Sequence, residues 1–492
     1  MLASMGQAPS RRGFLGQFLS LGQFLSMTGA AAISSEIARG QNVCPAGAVG
    51  GKSDFTLRIA PVTVELAPKK IVKTIGYNGI APGPLIRVRE GKPVTIDVHN
   101  DTGVAELVHW HGLHIPSDVD GSMEEGTPMV AAHGCRRYSF TPAPSGTRWY
   151  HSHGMAGRNL NRATYTGQFG FFYIEPASEP GAYDQEIFLA FREWEPYLST
   201  MGEDDASLDV AYKQFSINDR ALGHGDPIRV REGQRVLLRI LNASATMHRR
   251  IGFAGHKFQV VAMDGNPVAR PQSIEALELG PAERIDAIVE MNQPGVWILG
   301  ATEDHDREAG MGIVVEYAGR SGEPQWIAPQ GKWDYTIFAA APSSSATAPS
   351  SSPAPPSRID TLMEWDQAAE RIPLVIEKKF VGHRWVDNWT INGKSYPKTD
   401  PIIVRAGHRY TLVFDNRSDE AHPVHLHRHT FELKKIAGVP VRRGIRKDVV
   451  VLPAKSVVEA ELIANNPGPT LFHCHQQMHM DYGFMTMLKY ST

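Results

Sequence analysis

The chain has only three cysteines in 492 residues, too few for a disulfide framework to hold so long a fold together. It has no excess of either charge: 50 Lys and Arg stand against 52 Asp and Glu, for a net charge of −2. The basic footprint of a nucleic-acid binder is therefore missing. Beyond the first forty residues no run is apolar and uncharged for long enough to span a bilayer, so no membrane anchor is expected in the mature protein. The length exceeds one ordinary domain and predicts two to four. Hydrophobic residues at 42% and charged residues at 21% fit globular domains with sizeable cores.

The opening segment differs from the rest. Arg11 and Arg12 precede Phe14 and Leu15, a modest apolar stretch interrupted by Gly22 and Gln23 follows, and Ala30, Ala31 and Ala32 supply small residues for cleavage. The interruption makes a poor membrane anchor. The pattern resembles a bacterial twin-arginine export signal over about residues 1–39, which implies a periplasmic or secreted protein.

One pattern occurs three times. PLIRVREGKPVTIDVHN surrounds Gly91, DPIRVREGQRVLLRILN surrounds Gly233 and DPIIVRAGHRYTLVFDN surrounds Gly407. A turn precedes each copy: Tyr77-Asn78-Gly79, Ile217-Asn218-Asp219 and Ile391-Asn392-Gly393. The second interval is longer than the first, and the excess falls at a Ser/Pro/Ala-rich run, residues 341–358, which is too poor in apolar residues to fold and reads as a linker or loop. In Val94-Thr95-Ile96-Asp97-Val98 apolar and polar residues alternate, the sign of a half-buried strand. Short strands, frequent Gly and Pro and no long amphipathic helix predict an all-β chain of three β-sandwiches, over 54–178, 183–340 and 359–492.

Histidine is plentiful. Ten of the 20 histidines fall in four clusters: His109 with His111, His151 with His153, His422 with His425 and His427, and His473 with Cys474, His475 and His479. Residues i and i+2 of a strand share a face, so each His-x-His unit presents two imidazoles side by side. Eight converging imidazoles are not core packing; they suit borderline-soft metal ions such as copper. Parity sorts them further. Cys474 points away from His473 and His475, and His422 points away from His425 and His427. His422, Cys474 and His479 can then gather as the His₂Cys ligand set of a blue electron-transfer copper, joined through the backbone to the other eight. The middle third has no such unit, and its His224, His248 and His256 read as isolated.

These motifs resemble those of the multicopper oxidases, a family that includes laccases, ascorbate oxidases, bilirubin oxidases and copper-efflux oxidases. The resemblance covers essentially the whole mature chain. It implies three consecutive cupredoxin-like Greek-key sandwiches and four copper ions, one type 1, one type 2 and two type 3. By the family pattern, His109 and His425 hold the type 2 ion, and His111, His151, His153, His427, His473 and His475 hold the type 3 pair. Asp120 matches an acidic residue near the type 2 copper that guides protons to reducing oxygen. Phe484 stands at the blue copper's axial position, where it cannot coordinate and should raise the potential; a one-residue slip would put Met485 there instead.

Other positions depart from the family. Arg428 replaces a common glycine, with parity that spares ligation. His429 is expected to orient the ligands rather than join them. Met480 and Asp481 stand where some members carry a glutamate after the last copper histidine. Cys44 and Cys135 remain as either a disulfide or two free thiols.

The resemblance implies one-electron oxidation of a small-molecule or metal-ion donor coupled to four-electron reduction of dioxygen to water, with Cys474 relaying electrons. Phe484 and the missing methionine-rich insert favour a laccase acting on phenols or aromatic amines. The alternatives are a metallo-oxidase acting on cuprous or ferrous ions, for which Met480 and Asp481 would be the signs, and a non-enzymatic copper protein, which should have lost ligands. Two-domain nitrite reductases are shorter than this chain. Three domains in one chain suffice for a complete site, so a monomer is expected.

Overall fold

The computed structural model describes residues 44, 52–177, 182–200, 208–340, 369–379 and 388–491. The expected export signal and the Ser/Pro/Ala-rich run lie outside them. Among the described residues no helix is long and apolar enough to cross a membrane.

The described strands form six sheets, two for each third of the chain. Each third is a cupredoxin-like sandwich, and the threefold repeat in the sequence has a threefold cause. The repeat strands Val94–Asn100, Arg235–Asn242 and Arg409–Asn416 each run parallel to the first strand of their own sandwich, Phe55–Ala67, Gln185–Thr200 and Glu370–Lys379. The turn asparagines Asn78, Asn218 and Asn392 take left-handed φ of 54°, 55° and 50°, a conformation asparagine tolerates. Each side-chain oxygen accepts from a backbone N–H of that first strand, at Arg58, Ala190 and Val375. Each side-chain amide donates back to it, at Thr56, Phe188 and Pro373.

A second asparagine closes each repeat strand and is buried. Asn100 donates to the carbonyls of Val104, Val130 and Ala131. Asn242 donates to Met247 and Leu279. Asn416 donates to Glu420, Leu452 and Pro453. A loop that turns inward leaves carbonyls without water, and an amide with two donors satisfies them. In the third sandwich this knot fixes the loop that delivers His422.

Alternation holds in the first repeat strand, where Val94, Ile96 and Val98 are core. Asp97 is drawn in as well because Arg137 pairs with it at 2.7 Å. One core fills the first sandwich, and another runs through the second and third. Cys44 and Cys135 are joined as a disulfide, which settles the choice between a bridge and two free thiols. The covalent framework is that one bond, and the cores hold the fold.

Candidate metal centre

Two sheets bring the histidines together. In the first sandwich the strands Val108–His111 and Gly146–Ser152 pair antiparallel with His109 opposite His151. In the third, His422–Leu426 and Thr470–Cys474 pair with His425 opposite His473 and Val424 opposite Cys474. Register and parity together sort the side chains into groups whose ligand atoms lie within 4.8 Å of one another. These are His109, His111 and His425; His111, His151 and His475; His153, His427 and His473; and, on the other face of the last strand, His422, Cys474 and His479. All ten histidines and the cysteine are buried.

The spacings suit bound ions. His427 and His153 bring Nε2 to 3.1 and 3.4 Å from Nε2 of His473, and Nε2 of His151 lies 3.4 Å from Nδ1 of His111. Metal–nitrogen bonds of about 2.0–2.1 Å around one ion place the nitrogens at about such separations. Nδ1 of His422 and Nδ1 of His479 are 3.1 Å apart and lie 3.8 and 3.6 Å from Cys474 Sγ, as a longer metal–sulfur bond requires. Nε2 of His109, Nε2 of His425 and both ring nitrogens of His475 are buried without a hydrogen-bond partner. Orphaned buried nitrogens facing one another are costly unless a cation satisfies them.

The other ring nitrogens are occupied, which decides which atom is left for a metal. Nδ1 of His109 donates to the Asp120 carbonyl at 2.9 Å, and Nδ1 of His427 to the Asp120 carboxylate at 2.8 Å. Nδ1 of His425 donates to the Asp448 carbonyl at 2.7 Å, and Nε2 of His111 to the Asp448 carboxylate at 3.0 Å. Nδ1 of His151 and of His473 donate to the carbonyls of Ser152 and Cys474. Nε2 of His422 donates to the Ser418 hydroxyl at 2.8 Å, and Nε2 of His479 faces the Glu420 carboxylate at 3.2 Å. Burial, with the neighbouring histidines adding to it, holds His111, His425, His473 and His475 well below the ordinary imidazole range. They are neutral, the form that ligates. Copper fits this donor set: imidazoles throughout, with one thiolate at the His₂Cys group.

Asp120 ends the short helix Ser117–Asp120 and is fully buried. Gly121 follows with φ 110°, and a Cβ there would stand 2.1 Å from the Val108 carbonyl, so only glycine lets the carboxylate reach both sandwiches. Burial alone would raise the Asp120 pKa; His109 and His427 outweigh it and keep the group ionised. Beside it lies a carboxyl that the sequence does not single out. Glu125 Oε2 is 3.3 Å from His427 Nδ1, and its other oxygen accepts from the Leu471 N–H. Burial and the Asp120 charge push Glu125 well up, toward the protonated form.

At the His₂Cys group, the Phe484 ring faces His422 at 5.2 Å. Met485 sits opposite His473 in register and packs with Leu471 and Met480, so it lies on the far face and does not replace Phe484. Trp389, which the motifs do not mark, covers both imidazoles, 4.5 Å from His422 and 4.3 Å from His479.

Four residues named in the sequence reading have these surroundings. Met480 is packed inside, and the Asp481 carboxylate accepts from the Ala156 and Gly157 N–H groups, tying the ligand helix Gln477–Asp481 to the first sandwich. The carboxylate beside His479 is Glu420, at 3.2 Å. His429 donates to the His427 carbonyl and bonds to the Tyr490 hydroxyl, so it braces the backbone rather than a ligand ring. His248, isolated in the sequence, lines a cavity next to the third sandwich.

Three family models, each described as multicopper oxidase, match residues 58–179, 190–318 and 373–492. The chain is similar to multicopper oxidase MmcO of Mycobacterium tuberculosis, 31% identical over 98% of this chain and 96% of that protein. Among solved structures it shares its fold with the laccase from Botrytis aclada, at TM-score 0.69 and 20% identity over 88% of this chain and 87% of that one. It shares it equally with Fet3p, a multicopper oxidase that functions in iron import, at TM-score 0.69 and 19% identity over 89% and 90%.

Proposed function

This chain belongs to the multicopper oxidase family, copper-dependent oxidoreductases that use dioxygen, and from that premise we propose that it is an oxidase of laccase type, acting on phenolic or aromatic-amine donors. The observation that carries the proposal is a cavity of about 820 Å³ between the second and third sandwiches. Met247, Trp333, Ile436, Val439 and Val451 give it apolar walls, and Ala421, the residue before His422, forms part of its lining. A concave apolar site with a few polar groups suits an aromatic molecule, and a bare metal ion has no use for such walls.

In this reading His422, Cys474 and His479 would hold the type 1 ion, and His109 and His425 the type 2 ion. His111, His151, His153, His427, His473 and His475 would hold the type 3 pair. Bound copper supplies one-electron acceptance from the donor and four-electron reduction of dioxygen to water. The protein's part is orientation and protons. Cys474 is bonded along one strand to His473 and His475, the shortest covalent link between the two groups. Asp120 fixes His109 and His427 and, with Glu125, forms a carboxyl pair able to hold and hand on a proton. Phe484, whose ring faces His422, would stand beside the type 1 ion and offer it no donor atom. The Arg11–Arg12 segment supports twin-arginine export to the periplasm or beyond, and one chain carries every ligand, which supports a monomer.

A second reading, a metallo-oxidase of cuprous or ferrous ions, is favoured by Glu420, whose carboxylate, half open to solvent, touches His479. Oxygen uptake by the copper-loaded protein with dimethoxyphenol and with cuprous ion in parallel tests the choice. Fast uptake with the phenol and little with cuprous ion supports the laccase; the reverse assigns the protein to metal ions and turns attention to Glu420.

A further inference from the structure

The polar groups of the cavity are mostly spoken for. Asp306 pairs with Arg249, Glu278 with Arg250, and Glu283 with Lys447. His248 stands apart. It is exposed along the cavity and, among the described residues, pairs with no carboxylate. It lies over Gly280, where a Cβ would come within 3.3 Å of the ring, and its other contact is the backbone of Ala421. Arg249 and His479 lie near enough to disfavour a positive charge on it, and a neutral imidazole carries one N–H and one bare nitrogen. With the N–H turned to the Ala421 carbonyl, the bare nitrogen is left for whatever fills the cavity.

A phenol that loses an electron becomes a strong acid at its hydroxyl, so the electron leaves readily only where the proton can leave with it. An acceptor must stand within hydrogen-bond reach of that hydroxyl. Resting on the laccase reading, we infer that His248 is the proton acceptor for phenolic donors. The hydroxyl donates to its bare nitrogen, and the O–H bond breaks as one electron passes toward the ion held by His422, Cys474 and His479. The products are a neutral phenoxyl radical and an imidazolium, which returns its proton to water in the open cavity. The middle sandwich, which has no copper ligand, thereby contributes a catalytic residue. Donors with no proton to lose have no need of it.

The copper-loaded protein, mixed under argon with 2,6-dimethoxyphenol or with ferrocyanide, reports the step through bleaching of its blue absorption. His248→Phe should slow bleaching by the phenol about 100-fold and leave ferrocyanide within about twofold, the unchanged ferrocyanide rate and blue band showing that the variant is folded. His248→Gln, which accepts a hydrogen bond but not a proton, should slow the phenol as well. Binding is read separately, by quenching of emission from Trp333 in the cavity wall with 4-nitrophenol and its methyl ether 4-nitroanisole. His248→Phe should weaken the phenol about tenfold, spare the ether, and His248→Gln should spare both. An unchanged phenol rate in His248→Phe, or equal slowing of both donors, overturns the inference. If the wild-type protein bleaches with ferrocyanide but not with any phenol, the laccase reading falls. The binding arm then still decides His248: equal losses for nitrophenol and nitroanisole overturn it.

Discussion

Lys447 offers a severe test of how the three sandwiches are joined. Its ammonium is almost fully buried, 3.0 Å from Asp264 and 2.9 Å from Glu283. Arg284, beside Asp264, carries the charge chain on to Asp448 at 2.7 Å and so to His111. Burial opposes the charge on Lys447, but Asp264 and Glu283 outweigh it and hold the ammonium above the ordinary lysine range. Lys447→Met therefore removes one cation and leaves two buried carboxylates facing each other. Breaking a buried pair from one side costs about 3–5 kcal/mol, which lowers the melting temperature by on the order of 10 °C for a domain of this size. The sign of the pH effect follows from the carboxylates. Without the lysine their folded pKa values rise, and a carboxyl raised in the folded state stabilises below its unfolded pKa and loses that contribution as pH climbs through the folded one. The deficit should thus grow from pH 5 to pH 8, while the wild-type lysine stays charged throughout. Calorimetry of the copper-loaded proteins at both pH values measures it, and Lys447→Met with Glu283→Gln should recover part of the loss. A Lys447→Met protein that melts within about 1 °C of wild type at both pH values would refute the reasoning.

Other outcomes follow from single contacts. Asp120→Asn should keep the blue absorption, which belongs to the other face of the strand, but lower oxygen uptake by about 10–100-fold, because the group facing His109 and His427 loses its negative charge and its ability to carry a proton. Phe484→Met should keep the blue colour and lower the potential of that site, read by redox titration against mediators. Glu106 is buried against Ser152 and Gln168, and burial raises its pKa. Its contribution is present at acid pH and lost as pH rises through the folded value, so Glu106→Gln should flatten the fall in melting temperature between pH 5 and pH 8.

What could be read from the sequence was what depends on local geometry. Strand parity needs only i and i+2, and it placed Cys474 opposite His473 and His475 before any fold was in hand. The asparagines of the repeat were visible as a pattern, although their purpose, capturing inward-facing carbonyls, was not. What depends on tertiary packing left no trace. Glu124 and Glu125 are neighbours of the same type, and only the fold turns one toward Leu471 and His427. Trp389 is far from every copper motif and reaches His422 and His479 across a sheet. His248 looked isolated because its cavity is made by two sandwiches, and the tie from Asp481 to Ala156 and Gly157 could not be seen because the first sandwich is distant in sequence.

The two groups of ligands are owned differently. His422, Cys474 and His479 all belong to the third sandwich, whereas the other eight histidines are split evenly, four from the first and four from the third. A blue ion can therefore be held by one folded sandwich, but the cluster closes only when two meet. Copper at the cluster would act as a keystone: its affinity would be linked to docking, and each ion held by histidines of both sandwiches would clamp the first and third together. Withdrawing those ions would loosen that seam before it loosens either sandwich.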